Sequence, residues 1–137
     1  MIKLDAAIEH LGLTADGAMD TPKGPNTVAW YRQGVMPGEI GSAVIAGHFG
    51  WKNGIPAVFD TLNRLRRGDK LAIIDDKGMT TNFVVRNIKS FSETDNTTTV
   101  FTSNDSKAHL NLITCSGVWN KVSGRFPNRL VVFSDKE

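Results

Sequence analysis

Short apolar runs rich in β-branched residues recur along this chain, and turn-forming residues such as glycine, serine or aspartate follow them. Residues 43–46 and 130–133 are two such runs, with the length and composition of strands packed in a barrel or sandwich. Residues 71–74 are followed by the turn sequence Asp-Asp-Lys-Gly and then by residues 80–88, which predicts a β-hairpin. The pattern predicts an all-β domain with one or two short helices.

One stretch has the period of a helix. In residues 57–67 the apolar side chains recur at the 3.6-residue spacing of an amphipathic helix, at Val58, Phe59, Leu62 and Leu65. A glycine just beyond the last of them marks the expected end. We therefore expect a short helix here, lying across a barrel end or between strands.

Length and charge exclude several classes of protein. The chain has 137 residues, the usual size of one domain, so residues 1–137 are expected to form a single domain. Its 16 Lys+Arg and 14 Asp+Glu give a net charge of +2, too small to indicate nucleic-acid binding. The apolar runs are far shorter than the roughly 18 residues of a transmembrane helix. Residues 1–7 also lack the pattern of a signal peptide.

The single cysteine, Cys115, stands where a predicted strand gives way to a loop, in the sequence Leu-Ile-Thr-Cys-Ser-Gly at 112–117. A lone cysteine is more often a small buried side chain than a nucleophile. A strand end, however, can present a side chain to a substrate while the sheet holds it rigid. Cys115 is therefore a candidate nucleophile, provided that another residue lowers the pKa of its thiol or takes its proton.

Three histidines are candidates for that partner. His48 directly follows the apolar run 41–47, so it ends a buried strand and begins a loop. His10 lies in a polar segment near the N-terminus, and His109 is expected to face solvent or a recognition loop. His48 is the preferred partner because it has the same kind of position as Cys115.

Arg129 opens the last predicted strand and is the candidate that would hold a developing oxyanion. Its planar, permanently charged guanidinium can donate hydrogen bonds to such an oxygen and favour a thiolate. Arg125 is the rival for this role. Neither Cys-x-x-Cys nor His-x-x-x-His occurs, and no nucleotide-binding signature is present, so we expect no metal and no cofactor.

Three strand-edge residues in the order His, Cys, Arg, with threonine directly before the cysteine, resemble the sortase family of Gram-positive cell-surface transpeptidases. Residues 28–48 look like the family's segment that leads to its histidine. Residues 110–115, Leu-Asn-Leu-Ile-Thr-Cys, resemble its cysteine strand, and residues 128–132, Asn-Arg-Leu-Val-Val, its arginine strand. Residues 13–19 look like the actinobacterial class F group, although Leu112 replaces a threonine found in some classes.

The resemblance implies a closed eight-stranded β-barrel with the site at one end. It also implies that Cys115 is the nucleophile, His48 the general acid/base and Arg129 the oxyanion donor. The implied reaction cleaves a C-terminal Leu-Pro-x-Thr-Gly-like sorting signal through a thioacyl enzyme. The acyl group then passes to an amine of a peptidoglycan precursor or a pilin, or to water if no amine is available.

The same resemblance implies where the substrate binds. Thr114 and Ser116 flank the candidate nucleophile, and Ser103 and Asn104 lie in the loop at 102–108, which has the position of the family's recognition loop. Family members act at the extracellular face of the plasma membrane and carry a signal or membrane anchor. Because residues 1–7 do not read as one, we expect this chain to be an ectodomain that is anchored only through a segment absent from this sequence.

Two alternatives are kept open. The first is another cell-wall cysteine acyltransferase, of the L,D-transpeptidase type. That family has a Ser-His-Gly-Cys motif, and Ile113 and Thr114 before the cysteine here argue against it. A non-catalytic β-barrel interaction domain would keep Cys115 as an inert buried side chain. Thiol labelling distinguishes the second alternative from an enzyme, since a buried structural thiol resists alkylation in the folded state.

Overall fold

The computed structural model describes residues 7–12, 21–92, 94–116 and 128–137. These residues contain seven strands: β1 (Ile8–Leu11), β2 (Val28–Tyr31), β3 (Gly41–Ala46), β4 (Lys70–Ile74), β5 (Thr80–Ser92), β6 (Ala108–Ser116) and β7 (Asn128–Lys136). The strands pair in one sheet in the order β1-β2-β3-β6-β7-β5-β4. The prediction of an all-β domain is confirmed.

The local strand predictions are also confirmed. Strands β4 and β5 form the antiparallel hairpin, with Ile74 opposite Thr80. Asp75 shapes its turn, since Oδ1 accepts hydrogen bonds from the amides of Lys77 and Met79, both at 2.9 Å. Gly78 completes the turn at a φ of 79°, in the left-handed region that favours glycine.

The helix predicted for residues 57–67 does not form. Turns and a single 3₁₀ turn, Leu62–Arg64, occupy the segment. Asp60 accepts hydrogen bonds from the amides of Gly50 and Ala57 at 2.7 and 3.0 Å, and the amide of Phe59 donates to the carbonyl of His48 at 3.1 Å. These bonds engage backbone groups in the arrangement of a loop, and side-chain bonds of this kind compete with helix formation.

The apolar residues of that segment are nevertheless buried. Phe59, Leu62 and Leu65 are between 1% and 4% exposed and belong to the larger of two core clusters. The periodic spacing therefore identified the buried side chains correctly while it misassigned their backbone conformation.

The sheet curls around that larger cluster. Ile8 of β1 and Leu71 of β4 pack against the same core, although their strands are the first and last in the sheet order. The sheet is therefore a half-barrel that matches the expected sortase fold. Within the described ranges the sheet has seven strands, and its two edge strands, β1 and β4, do not pair with each other.

A smaller cluster covers the other face of the sheet. The chain between β5 and β6 forms one helical turn, α1 (Thr98–Phe101), and inserts Val100 between Val44, Val131 and Phe133. Across the part of the chain that the structure describes, no helix combines the length and the apolar character needed to cross a bilayer. Residues 13–19, on which the class F resemblance depends, and Arg125 lie outside the described ranges.

Candidate functional site

The site is built where three neighbouring strands reach one edge of the sheet. Strand β3 runs parallel to β6, and β7 runs antiparallel to it, so the ends of β3 and β6 and the start of β7 lie together. His48 follows β3 by two residues, Cys115 is the last residue but one of β6, and Arg129 is the second residue of β7. The topology thus brings all three candidates to one place.

Cys115 and Arg129 are direct partners in the β6–β7 ladder. Opposite residues of an antiparallel pair have Cα atoms about 4.5–5.5 Å apart. Arg129, which carries a permanent positive charge, is therefore directly across from Cys115 in the sheet. This relation depends on strand register and is not visible in the sequence.

Two hydrogen bonds connect the cysteine strand to the residue before His48. The hydroxyl of Thr114 donates to the carbonyl of Gly47 at 2.7 Å, and the amide of Gly47 donates to the carbonyl of Ile113 at 3.1 Å. Thr114 is only 4% exposed. Its hydroxyl therefore fixes the backbone that carries His48. Thr114 thus affects the position of the histidine as well as adjoining the candidate nucleophile.

Gly47 is the residue that lets this backbone approach the core. A Cβ atom on Gly47 would lie 2.6 Å from Cδ2 of Phe59 and 2.9 Å from two further ring atoms. Real Cβ atoms do not approach so closely, and Phe59 is itself 2% exposed. The amide of Phe59 also binds the carbonyl of His48, so glycine is required by packing at this point.

The imidazole of His48 is held on two sides. Its Nε2 lies 2.8 Å from the carbonyl oxygen of Pro22, and the ring makes an edge contact with Trp51 at 5.0 Å between centroids. A carbonyl only accepts hydrogen bonds, so Nε2 carries the hydrogen in this contact. Nδ1 is then the nitrogen that remains to take up and release a proton.

Arg129 is half-buried at the start of β7. One of its nitrogens donates to the carbonyl of Asn128 at 3.0 Å. A guanidinium carries five N–H donors in a planar fork, an arrangement that can donate to more than one acceptor at once. Ser116 is the register partner of Asn128, which puts the backbone of this predicted substrate-binding residue at the same edge.

The other two histidines lie elsewhere. His10 is exposed on β1 and makes an edge contact with Trp30 at 5.1 Å. His109 is in β6, six residues before Cys115, which corresponds to about 20 Å along a strand. His109 does not face solvent, since it is 5% exposed, but its ring does contact the loop at 102–108, through Asp105.

His109 joins a loop to the sheet. Its Nδ1 lies 2.7 Å from a carboxylate oxygen of Asp135 on β7, and its Nε2 lies 2.8 Å from one of Asp105 in the loop before β6. Arg86 of β5 also donates to Asp135, at 3.0 Å. The bond from His109, followed by one from the amide of Lys107, lowers the pKa of Asp105 below its ordinary value.

Ser103 and Asn104, predicted to bind substrate, line a groove of about 520 Å³ at the His109 end of the sheet, together with Asp105 and Lys107. Thr114 and Ser116 adjoin Cys115 in β6, whereas Ser103 and Asn104 lie in the loop before that strand. The groove that they line also includes Phe91, the register partner of Arg129. In the portion of the chain that is described, no group of three or more His, Cys, Asp or Glu side chains is arranged to hold a metal ion.

Comparison with solved structures gives the same fold. Sortase C-1 from Actinomyces oris superposes with a TM-score of 0.72 at 23% identity, over 95% of this chain and 65% of that one. A lid mutant of sortase A from Corynebacterium diphtheriae gives 0.71 at 25% identity, over 95% and 62%. A sortase D5 transpeptidase from Clostridium perfringens gives 0.62 at 25% identity, over 82% and 62%.

The chain thus spans less than two thirds of the length of these structures. Comparison with curated proteins gives no match. The family model of the sortase domain matches residues 2–137, nearly the whole sequence. That match, together with the half-barrel and the convergence of a histidine, a cysteine and an arginine at one sheet edge, shows that the chain belongs to the sortase family of cysteine transpeptidases.

Proposed function

We propose that this chain is a cysteine transpeptidase that cleaves a C-terminal sorting signal and transfers the acyl part to an amine. The observation that carries the proposal is the β6–β7 register, in which Cys115 is opposite Arg129 at the edge where His48 follows β3. A nucleophile, a proton carrier and a fixed cation at one place are the parts that acyl transfer through a thioester requires.

The first half-reaction forms the thioacyl enzyme. The thiolate of Cys115 attacks the scissile carbonyl carbon, and Arg129 donates hydrogen bonds to the oxygen that becomes negatively charged. The carbon–nitrogen bond then breaks, and the leaving amine takes a proton from Nδ1 of His48. The products are a thioester on Cys115, a free amine and a neutral imidazole.

The second half-reaction uses the same groups in the reverse order. An acceptor amine attacks the thioester carbonyl and gives its proton to Nδ1 of His48, while Arg129 again stabilises the oxyanion. The carbon–sulfur bond breaks and the thiolate of Cys115 leaves. An amide is formed, the starting charges are restored, and no external oxidant, reductant or cofactor is needed. Water in place of the amine gives hydrolysis.

For the substrate we propose a Leu-Pro-x-Thr-Gly-like sorting signal, with the amine supplied by a peptidoglycan precursor or a pilin. The support is family membership, together with the similarity to structures described as sortases A, C and D5. We also propose that residues 1–137 form one catalytic domain, that it acts at the extracellular face of a Gram-positive cell, and that it is of class F.

The proposed substrate contacts divide into two groups. Ser116 adjoins Cys115 in β6, and Thr114 acts through its bond to Gly47. Ser103 and Asn104 lie near the start of β6, and an extended pentapeptide spans only about 17 Å. Their contacts are therefore proposed to be with substrate residues outside the five-residue signal.

The proposal is tested by intact-protein mass spectrometry after mixing the chain with a small panel of sorting peptides. The expected result is an adduct with the mass of the acyl fragment on the wild type and none on Cys115→Ala. Alkylation of Cys115 in the folded protein should block the adduct. A thiol that resists alkylation, together with no adduct from any peptide, would favour the non-catalytic barrel.

A further inference from the structure

We infer that Glu9 is a positioning residue for the catalytic histidine, acting through the segment of residues 21–27. This inference rests on the proposed function, because it concerns how His48 is held for acyl transfer. Glu9 lies on β1, at the opposite side of β2 from β3, which leads to His48. Its connection to the imidazole is a series of hydrogen bonds through backbone and side chain.

The first step is the capture of the segment by one carboxylate. Oε2 of Glu9 accepts a hydrogen bond from the hydroxyl of Thr27 at 2.6 Å and another from the amide of Lys23 at 3.1 Å. Hydrogen bonds to an ionised carboxylate are shorter and stronger than bonds between neutral groups. Two points of the segment, four residues apart, are thus bound to the same oxygen.

The second step leads from the segment to the imidazole. Pro22 directly precedes Lys23 and is buried, and its carbonyl oxygen is the acceptor for Nε2 of His48 at 2.8 Å. On the other side of Lys23, the carbonyl of Pro25 accepts a hydrogen bond from the amide of Val58 at 2.7 Å. The segment therefore spans the space between β1 and the loop that contains the catalytic histidine.

The third step is the consequence for chemistry. An imidazole whose Nε2–H is bound to a carbonyl keeps its other nitrogen, Nδ1, available for proton transfer. If the Pro22 carbonyl moves away, the ring can rotate and the neutral ring can carry its hydrogen on either nitrogen. A misplacement of about 1 Å at a reacting group is enough to cost up to 10²-fold in rate. Glu9 is therefore expected to affect turnover without touching the reacting atoms.

The test compares Glu9→Ala, Glu9→Gln and a matched control, Glu39→Ala. Glu39 is also a glutamate that binds a backbone amide, that of Met36 at 2.8 Å, but it precedes β3, whereas His48 follows the other end of that strand. For Glu9→Ala we expect kcat to fall between about tenfold and 10²-fold, with little change in KM for the sorting peptide. Glu9→Gln keeps an acceptor oxygen and should recover most of the loss, and Glu39→Ala should behave as wild type.

A second readout does not depend on the reaction. In ¹⁵N NMR of the neutral wild-type ring, His48 should carry its hydrogen on Nε2, and Glu9→Ala should shift the ring to a mixture of tautomers. An unchanged tautomer and an unchanged kcat in Glu9→Ala would overturn the inference. The inference would also be overturned if the lower kcat of Glu9→Ala were fully explained by a smaller folded fraction in thermal unfolding. The same holds if Glu9→Gln had an equally low kcat while its His48 kept the wild-type tautomer.

The two readouts separate this inference from the proposed function. If the wild type forms no thioacyl adduct with any peptide, the proposed transpeptidation fails, while the tautomer of His48 still reports on Glu9. If the adduct forms and neither Glu9 variant changes the tautomer or kcat, the proposed function stands and the positioning role is wrong.

Discussion

Replacing Gly47 by alanine should damage both the core and the candidate site. The added Cβ would lie 2.6 Å from Cδ2 of Phe59, with two further ring atoms at 2.9 Å, so either the ring or the backbone must move. Phe59 is 2% exposed and belongs to the larger core cluster, so a movement of its ring displaces other buried side chains. Inserting one carbon into a well-packed core typically costs about 1–3 kcal/mol.

That cost is large enough to measure. For a chain of 137 residues it corresponds to a fall in Tm of about 3–5 °C per kcal/mol. If the backbone yields in place of the ring, the carbonyl of Gly47 moves relative to Thr114, and His48 moves with it. We therefore expect a lower kcat in the variant even at temperatures where it is fully folded.

The assay is thermal unfolding and peptide cleavage for Gly47→Ala beside Gly24→Ala. Gly24 is a matched control for the unfolding measurement, because a Cβ there would meet nothing within 4 Å. Its replacement should change stability by less than about 1 kcal/mol. Adding Phe59→Leu to Gly47→Ala should recover part of the lost Tm. Equal unfolding temperatures for the two single alanine variants would refute the packing argument.

Four further changes test the candidate site and the hydrogen bonds that join His109 to Asp105 and Asp135. Cys115→Ala should abolish peptide cleavage with the fold retained, and thermal unfolding measured beside cleavage checks both. His48→Ala should cost about as much as the cysteine change, whereas His10→Ala should be nearly silent, as steady-state kinetics would show. Arg129→Lys keeps the charge but loses the planar fork, so turnover should fall roughly 10²-fold or more; a near-normal rate would remove it from the oxyanion role. Asp105 has its pKa below the ordinary 3.8, so its stabilising contribution is present above that value and lost as the pH falls through the folded-state pKa; urea unfolding of wild type and Asp105→Asn should therefore differ at pH 7 and converge in acid.

The strands were predictable because their signals are local. The hairpin of β4 and β5 follows from two apolar runs and the Asp75 to Gly78 turn between them, all within one stretch of chain. The predicted helix failed because apolar spacing reports which side chains are buried, and Phe59 and Leu62 are buried without a helix. The hydrogen bonds that the Asp60 carboxylate accepts from backbone amides hold the chain in a loop conformation there.

The partners of His109 show a second limit. Asp105 is four residues earlier, so the contact between Asp105 and His109 is local in the sequence. Asp135 is in another strand, and it meets His109 because the two are register partners across β6 and β7. A shift of one residue in that register would turn Asp135 to the other face of the sheet. Long-range register is what the sequence alone does not supply.

The same limit separates the candidate catalytic residues from the residues that hold them. Cys115, His48 and Arg129 are candidates because each stands at a strand end and because their order resembles that of a known family. Gly47 and Glu9 have no such sequence pattern. A glycine is needed at position 47 because of the ring of Phe59, and the role of Glu9 depends on the segment that contains the Pro22 carbonyl. Groups that touch a substrate are restricted in type by the chemistry, whereas groups that hold them are restricted only by geometry. A motif therefore identifies the first kind, and only a structure identifies the second.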